Sequence, residues 1–259
     1  MSARRPTVGV FKLASCDGCQ LTLLDLEDDL LAVVGAVHIT HFPEMTAASD
    51  ARGPFDLALV EGSVSTPEHL QLIRDIRQRS ATLVTIGACA TAGGLQALRN
   101  FADHEAFIRA VYARPDYIES LSHSTPIADH VPVDYELRGC PIDKLQLREL
   151  LSATLAGRTP NIPRQSVCMD CKAAGRVCVM VARGTPCLGP VTQAGCGALC
   201  PRFARGCYGC FGPSDAPNTR GLTRRLRVLG QDQAQLRRSF RFITAWADAF
   251  REEADRHDA

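Results

Sequence analysis

Eight of the twelve cysteines in this 259-residue chain fall between residues 168 and 210, in two consecutive sets of four. The first is Cys168-x2-Cys171-x6-Cys178-x8-Cys187; the second is Cys196-x3-Cys200-x6-Cys207-x2-Cys210. Pro, Gly and Cys dominate residues 160–215, and long apolar periodicity is absent. Such a segment cannot build a hydrophobic core of its own, so metal binding is expected to supply its order. The remaining cysteines are the close pair Cys16-x2-Cys19 and two distant singles, Cys89 and Cys140. Twelve thiols make three sets of four, and four thiolates are what one iron–sulfur cube takes from a protein. Three cubes in one polypeptide form an electron wire.

Other classes are disfavoured by composition. Lys+Arg against Asp+Glu is 29 to 28, so no global field points to nucleic acid or an anionic membrane. No stretch approaches the roughly 18 apolar residues of a membrane span. Arg4-Arg5 invites a twin-arginine export reading, but Pro6 follows at once and Thr7 to Leu13 reads as a strand, leaving no apolar signal region. A cytoplasmic location is expected, where reducing conditions favour grouped cysteines as metal ligands over disulfides.

Residues 7–157 alternate between strand and helix patterns. Strands are expected at Val8–Leu13, Ala36–Phe42, Phe55–Val60, Leu83–Ile86 and Val133–Leu137. Leu21, Leu24, Leu30, Leu31 and Val34 recur at helical spacing. Thr66-Pro67-Glu68 opens another helix, with a capping Thr and Pro at its first position and a buried stripe of Leu70, Ile73 and Ile76. Asp143 to Leu155 is an amphipathic helix closed by Gly157. This alternation predicts a mainly parallel sheet covered on both faces. Ligands of such sheets bind beyond the strands' carboxyl ends. Three expected strands run into Cys16/Cys19, Cys89 and Cys140, so these four are expected to converge on one sheet edge.

Zinc also takes four cysteines, commonly as two close pairs. The second quartet has one such pair, and the first is strung over 20 residues. None of His38, His41, His69, His104, His123, His130 or His257 lies between Cys168 and Cys210. Pro186, Pro201 and the surrounding glycines suit a backbone wrapped closely on a cube. A zinc-stabilised interaction protein stays open as a second alternative. The ferredoxin run C-x2-C-x2-C-x3-C-P is absent.

Cys16-Asp17-Gly18-Cys19, Val60-Glu61-Gly62, Gly87-Ala88-Cys89-Ala90 and Gly139-Cys140-Pro141 resemble the first domain of small, electron-transferring subunits of nickel–iron hydrogenases. That family is related to the 20-kDa-type subunit of respiratory complex I. Pro186-Cys187-Leu188-Gly189-Pro190-Val191-Thr192 and Gly206-Cys207-Tyr208-Gly209-Cys210 resemble its distal and medial cluster segments. The chain lacks the export signal of the respiratory periplasmic enzymes. It has Cys168 where their histidine ligand would stand, and it adds Cys200 to the medial set. In these respects it resembles the delta subunit of soluble NADP-linked sulfhydrogenases. The small subunit of an F420-reducing hydrogenase is the alternative; a complex I subunit, expected to have adjacent cysteines in its first motif, is disfavoured.

Pattern and resemblance together imply an α/β chain: a flavodoxin-like parallel-sheet domain (1–158), then a small cysteine-rich iron–sulfur domain with little regular structure and a helical tail (159–259). The resemblance implies three 4Fe–4S clusters: proximal on Cys16, Cys19, Cys89 and Cys140; distal on Cys168, Cys171, Cys178 and Cys187; medial on Cys196, Cys200, Cys207 and Cys210. The nickel–iron centre would belong to a large subunit. FAD and NADP would belong to a diaphorase subunit, assisted by a further iron–sulfur subunit. The chain alone is expected to have no activity, and it shows no P-loop and no G-x-G-x-x-G.

Glu61 is expected to accept hydrogen bonds near the proximal cluster or the large-subunit interface, on family grounds. Arg220, Arg224, Arg225, Arg227, Arg237, Arg238 and Arg241 read as a solvated helical face or a subunit contact rather than a nucleic-acid site. Trp246 with Phe240, Phe242 and Phe250 reads as a helix stripe, and His38 and His41 as structural.

Overall fold

A computed structural model describes residues 4–258. In chain order the first part holds β1 (Thr7–Lys12), α1 (Gly18–Leu24), α2 (Asp28–Ala36), β2 (His38–His41), β3 (Phe55–Glu61), α3 (Pro67–Arg79), β4 (Ser80–Ile86), α4 (Gly87–Ala92), α5 (His104–Val111), β5 (Tyr135–Leu137) and α6 (Lys144–Leu155). The second part holds α7 (Val167–Ala173), α8 (Val179–Arg183), α9 (Leu199–Arg202), α10 (Thr219–Val228), α11 (Gln233–Phe240) and α12 (Asp248–Asp255).

The five strands form one sheet in the order β2-β1-β3-β4-β5, and every pairing is parallel. This is the flavodoxin-like order, with its switch point between β1 and β3. Side chains alternate across it because successive residues of a strand point to opposite faces. Leu57 and Leu59 join Val8, Val10, Val84 and Ile86 in a core closed by Leu23 of α1 and by Leu147, Leu150 and Leu151 of α6. Ala58, Val60 and Leu83 face the other way, onto Ile73 and Ile76 of α3. The Thr66 side chain caps α3 by accepting from the His69 amide, and Asp143 caps α6 by accepting from Leu145 and Gln146.

Several expectations change in detail. The leucine-rich stretch after Cys19 forms two helices, because Glu27 turns the chain with φ +56°. Leu21 and Leu31 consequently stay 54% and 74% exposed. β2 is shorter than expected because α2 runs through Ala36. Metal is not the sole source of order after residue 160. Val167, Val179, Met180, Leu188 and Val191 pack with Leu222, Leu226, Leu236, Phe240, Phe250 and Ala254, so the tail supplies the missing apolar partners.

The aromatic tail stripe is also corrected. Phe240 and Phe250 meet edge to face across α11 and α12, but Phe242 and Trp246 lie in the connection between those helices. Trp246 rests against Phe101 and His123, with ring centroids 5.5 and 5.7 Å away, and so ties the tail to the sheet part of the chain. Arg241 pairs with Asp255 and Asp258, and Arg237 with Asp258, so part of the basic run is balanced internally. The α10 arginines are exposed. His41 sits 2.6 Å from the Ser49 hydroxyl and stacks on Phe11, and its role is local packing.

Candidate metal centres

β1, β4 and β5 end on one edge of the sheet, with β3 between β1 and β4, and the loops that leave them carry Cys16 and Cys19, Cys89, and Cys140. The Ala88 amide donates to the Gly139 carbonyl at 2.6 Å, which locks the Cys89 turn to the Cys140 loop. Gly87 makes the approach feasible. Its φ is +88°, and a Cβ there would collide with the Cys19 sulfur. Glu61, at the end of β3 and 1% exposed, accepts from the backbone amides of Cys19 (3.2 Å) and Gln20 (3.3 Å) and from Gln20 Nε2 (3.1 Å). These bonds fix the start of α1, and with it Cys19. Burial raises the Glu61 carboxyl above its ordinary range, against the lowering effect of those hydrogen bonds.

Cys89 and Cys140 influence Cys19, and Cys16 influences Cys89 and Cys140, across this edge. Burial lifts Cys19 well above the ordinary thiol range, and Glu61, Cys89 and Cys140 add to the shift. Burial lifts Cys89 to about 11, with Cys140 and Cys16 contributing. Burial also raises Cys140, followed by Cys16. Cys16 and Cys140 are exposed, Cys89 is half-buried and Cys19 is buried.

The later cysteines neighbour one another both within and across the two quartets. Burial and then Cys187, Cys171 and Cys178 raise Cys168 to about 11. Burial and then Cys196 and Cys200 raise Cys210 to about 12; burial, Cys187 and Cys210 raise Cys207 to about 12. The sets also touch one another at defined points. Cys140 adds to the shift of Cys210, and the Cys207 amide donates to the Cys187 sulfur at 3.1 Å. Cys210 thus neighbours the strand-end cysteines and Cys207 neighbours the first quartet.

This donor set fits iron–sulfur clusters. All twelve cysteines are free thiols. Clustered thiols with raised pKa need a cation to ionise, and a metal centre supplies it. A single zinc ion would need its sulfurs about 2.3 Å from one point. A cube accepts wider spacing because its thiolates bind irons at separate corners.

Three polar or aromatic residues beside these sets carry no motif signal. Gln96 bridges the Cys89 sulfur (3.5 Å) and the Ala14 carbonyl (2.9 Å), joining two of the loops. Gln146 and Phe211 are buried where the sheet part meets the second quartet. Gln146 stands out in the sequence only as a polar residue next to the apolar stripe of α6.

Comparison with known proteins agrees with this architecture. The family described as NADH ubiquinone oxidoreductase, 20 Kd subunit, matches residues 16–154, more than half of the chain. Sulfhydrogenase 2 subunit delta of Pyrococcus furiosus is 37% identical over 239 residues, covering 92% of this chain and 99% of that protein. A subunit of the vhu F420-non-reducing hydrogenase of Methanocaldococcus jannaschii is 32% identical, covering 80% of this chain and 82% of that one. A chain from the crystal structure of NAD+-reducing NiFe hydrogenase in its H2-reduced state superposes with a TM-score of 0.57 at 32% identity, covering 62% of this chain and 96% of that chain. The chain belongs to the 20 Kd subunit family and is a hydrogenase subunit, homologous to the small and delta subunits of nickel–iron hydrogenases.

Proposed function

We propose that this chain is the electron-transferring subunit of a cytoplasmic nickel–iron hydrogenase, connecting a nickel–iron large subunit with a flavin- and NAD(P)-binding diaphorase subunit and a further iron–sulfur subunit. Cys16, Cys19, Cys89 and Cys140 would hold a proximal 4Fe–4S cluster, Cys196, Cys200, Cys207 and Cys210 a medial one, and Cys168, Cys171, Cys178 and Cys187 a distal one. Bound clusters would supply one-electron carriers. The chain's own residues hold the ligand sets in order, within two folding units that divide near residues 158 and 159. The observation that carries this reading is the pair of contacts between sets: Cys140 beside Cys210, and the Cys207 amide on Cys187.

Glu61 would preorganise the proximal set by anchoring the amides of Cys19 and Gln20. Leu21, Leu95 and Leu98 are 54%, 50% and 37% exposed in the segments that carry or follow Cys19 and Cys89, an apolar rim suited to burial by the large subunit. Among the described residues no helix is long and apolar enough to cross a membrane.

The test is anaerobic purification of the native complex, followed by iron analysis and hydrogen-driven reduction of NADP, NAD and F420 in parallel. The expected result is roughly 12 iron per chain, nickel in a co-purifying subunit, and NADP or NAD reduction. Reduction of F420 alone would move the assignment to the F420-reducing class. A colourless zinc protein, or quinone reduction with no nickel, would overturn it.

A further inference from the structure

Gln146, near the start of α6, is 6% exposed, and neither its Nε2 nor its Oε1 has a hydrogen-bond partner. Its neighbours on the buried face of the helix are Leu147, Leu150 and Leu151, where an apolar residue of similar volume would fit at no polar cost. Its amide nitrogen fills the space that a Cβ of residue 195 would take; Gly195 leaves that space open. Cys196 follows directly, and Gln146, Gly195 and Cys196 line the same cavity. The Phe211 ring closes another side. It comes within 3.0 Å of the Cβ position at Gly195 and within 2.9 Å of that at Gly139, so it stands between the neighbours of Cys196 and Cys140.

A buried carboxamide with both ends orphaned is strongly unfavourable, and native proteins pair such groups. The partner of its Nε2–H therefore belongs to the finished site. We propose that Gln146 donates its Nε2–H hydrogen bond to the sulfur shell of the cluster held by the second quartet, on the Cys196 side, and raises the reduction potential of that cluster. The inference rests on the assignment of Cys196, Cys200, Cys207 and Cys210 as one ligand set. A sulfur shell offers only acceptors, which selects the nitrogen end of the amide. Reduction adds negative charge to the cluster and its thiolates, so an N–H donor stabilises the reduced form more than the oxidised one. Phe211, 3% exposed, packs its ring against Gly195 and Gly139 beside that amide. Gln146 thus acts as a positioning and tuning residue, delivered from the sheet part of the chain to a centre built by the second part.

The test is an EPR-monitored redox titration of the assembled, anaerobically purified complex carrying Gln146→Leu. The expected result is a lower potential for the second-quartet cluster alone, with the other two potentials and the iron content unchanged. An unchanged potential at full iron content, or an equal shift of all three clusters, would overturn the proposal. If the variant fails to assemble, the unsubstituted complex labelled with side-chain 15N glutamine decides. The reduced second-quartet cluster should show a 15N hyperfine coupling, and its absence overturns the proposal. Failure of the underlying assignment reads out differently: Cys200→Ala would then retain its full iron.

Discussion

The backbone amide of Cys207 donates a 3.1 Å hydrogen bond to the sulfur of Cys187, joining a residue of the second quartet to a residue of the first. The Gly189 amide reaches the same sulfur at 3.4 Å. The Cys207 bond gives a direct hydrogen-bonded route between the two quartets. Gly206 keeps that contact tight. A Cβ there would fall on the Pro186 carbonyl, which leads directly into Cys187.

The two quartets should therefore lose iron independently. Cys187→Ala is expected to remove about four iron per chain, and Cys207→Ala a different set of about four. EPR of the reduced variants should show which signal is missing in each. Loss of the same signal in both would mean that the quartets exchange ligands.

Gly87→Ala should damage the strand-end set without touching the others. The new Cβ meets the Cys19 sulfur, and the φ of +88° is strained for any L side chain. The expected result is a soluble chain with about four fewer iron and no hydrogen-driven reduction of any acceptor. Full iron and activity would show that Cys19 is not held at this edge.

Glu253 should make the tail sensitive to acid. It is 2% exposed and accepts from Thr219 (3.1 Å), Thr223 (2.7 Å) and Arg256 (2.6 Å), so it joins α10 to α12. Burial alone would raise its pKa, but the hydrogen bonds from Thr223, Arg256, Thr219 and His257 outweigh it and hold the group below the ordinary carboxylate range. A folded pKa below the unfolded one gives stability above the unfolded value, about 4.3, and that stability is lost as pH falls through the folded value. Glu253→Gln should cost about 2 kcal/mol at neutral pH and flatten the acid dependence. Denaturation curves with equal pH slopes for both proteins would refute the role.

Phe101→Ala should loosen the tail from the sheet part of the chain. Phe101 and His123 are aromatic neighbours of Trp246, and Arg241 lies 4.3 Å from the Phe101 ring. Truncation is expected to cost about 2 kcal/mol, below the roughly 3–5 kcal/mol of a fully buried aromatic deletion because the contact is only partly buried. Trp246 is the chain's single tryptophan, so its emission should shift to the red while the iron content stays constant. Unchanged emission would show that Trp246 is anchored elsewhere.

The sheet was legible in the sequence because its signals are short-range. The near-continuous apolar run of β3, the Thr66-Pro67 start of α3 and the Asp143 cap of α6 each lie within a few residues of the element they define. The break at Asp25–Glu27 and the short β2 were less visible, since a positive φ at Glu27 carries no composition signal. The tail's function in packing was hidden for a related reason. Its leucines gave helical periodicity, but their partners Val179, Leu188 and Val191 sit in a segment with no periodicity at all.

The sequence by itself determined how many thiols there are, how they group along the chain, and which of them follow strand ends. Only the tertiary structure decided that Cys210 stands beside Cys140, that the Cys207 amide reaches Cys187, and that Gln146 and Phe211 occupy the junction. Ligand spacing is written locally, in a loop or one turn of helix. Adjacency between sites depends on where segments tens of residues apart are brought by the packing of two cores, and no short stretch of sequence encodes that.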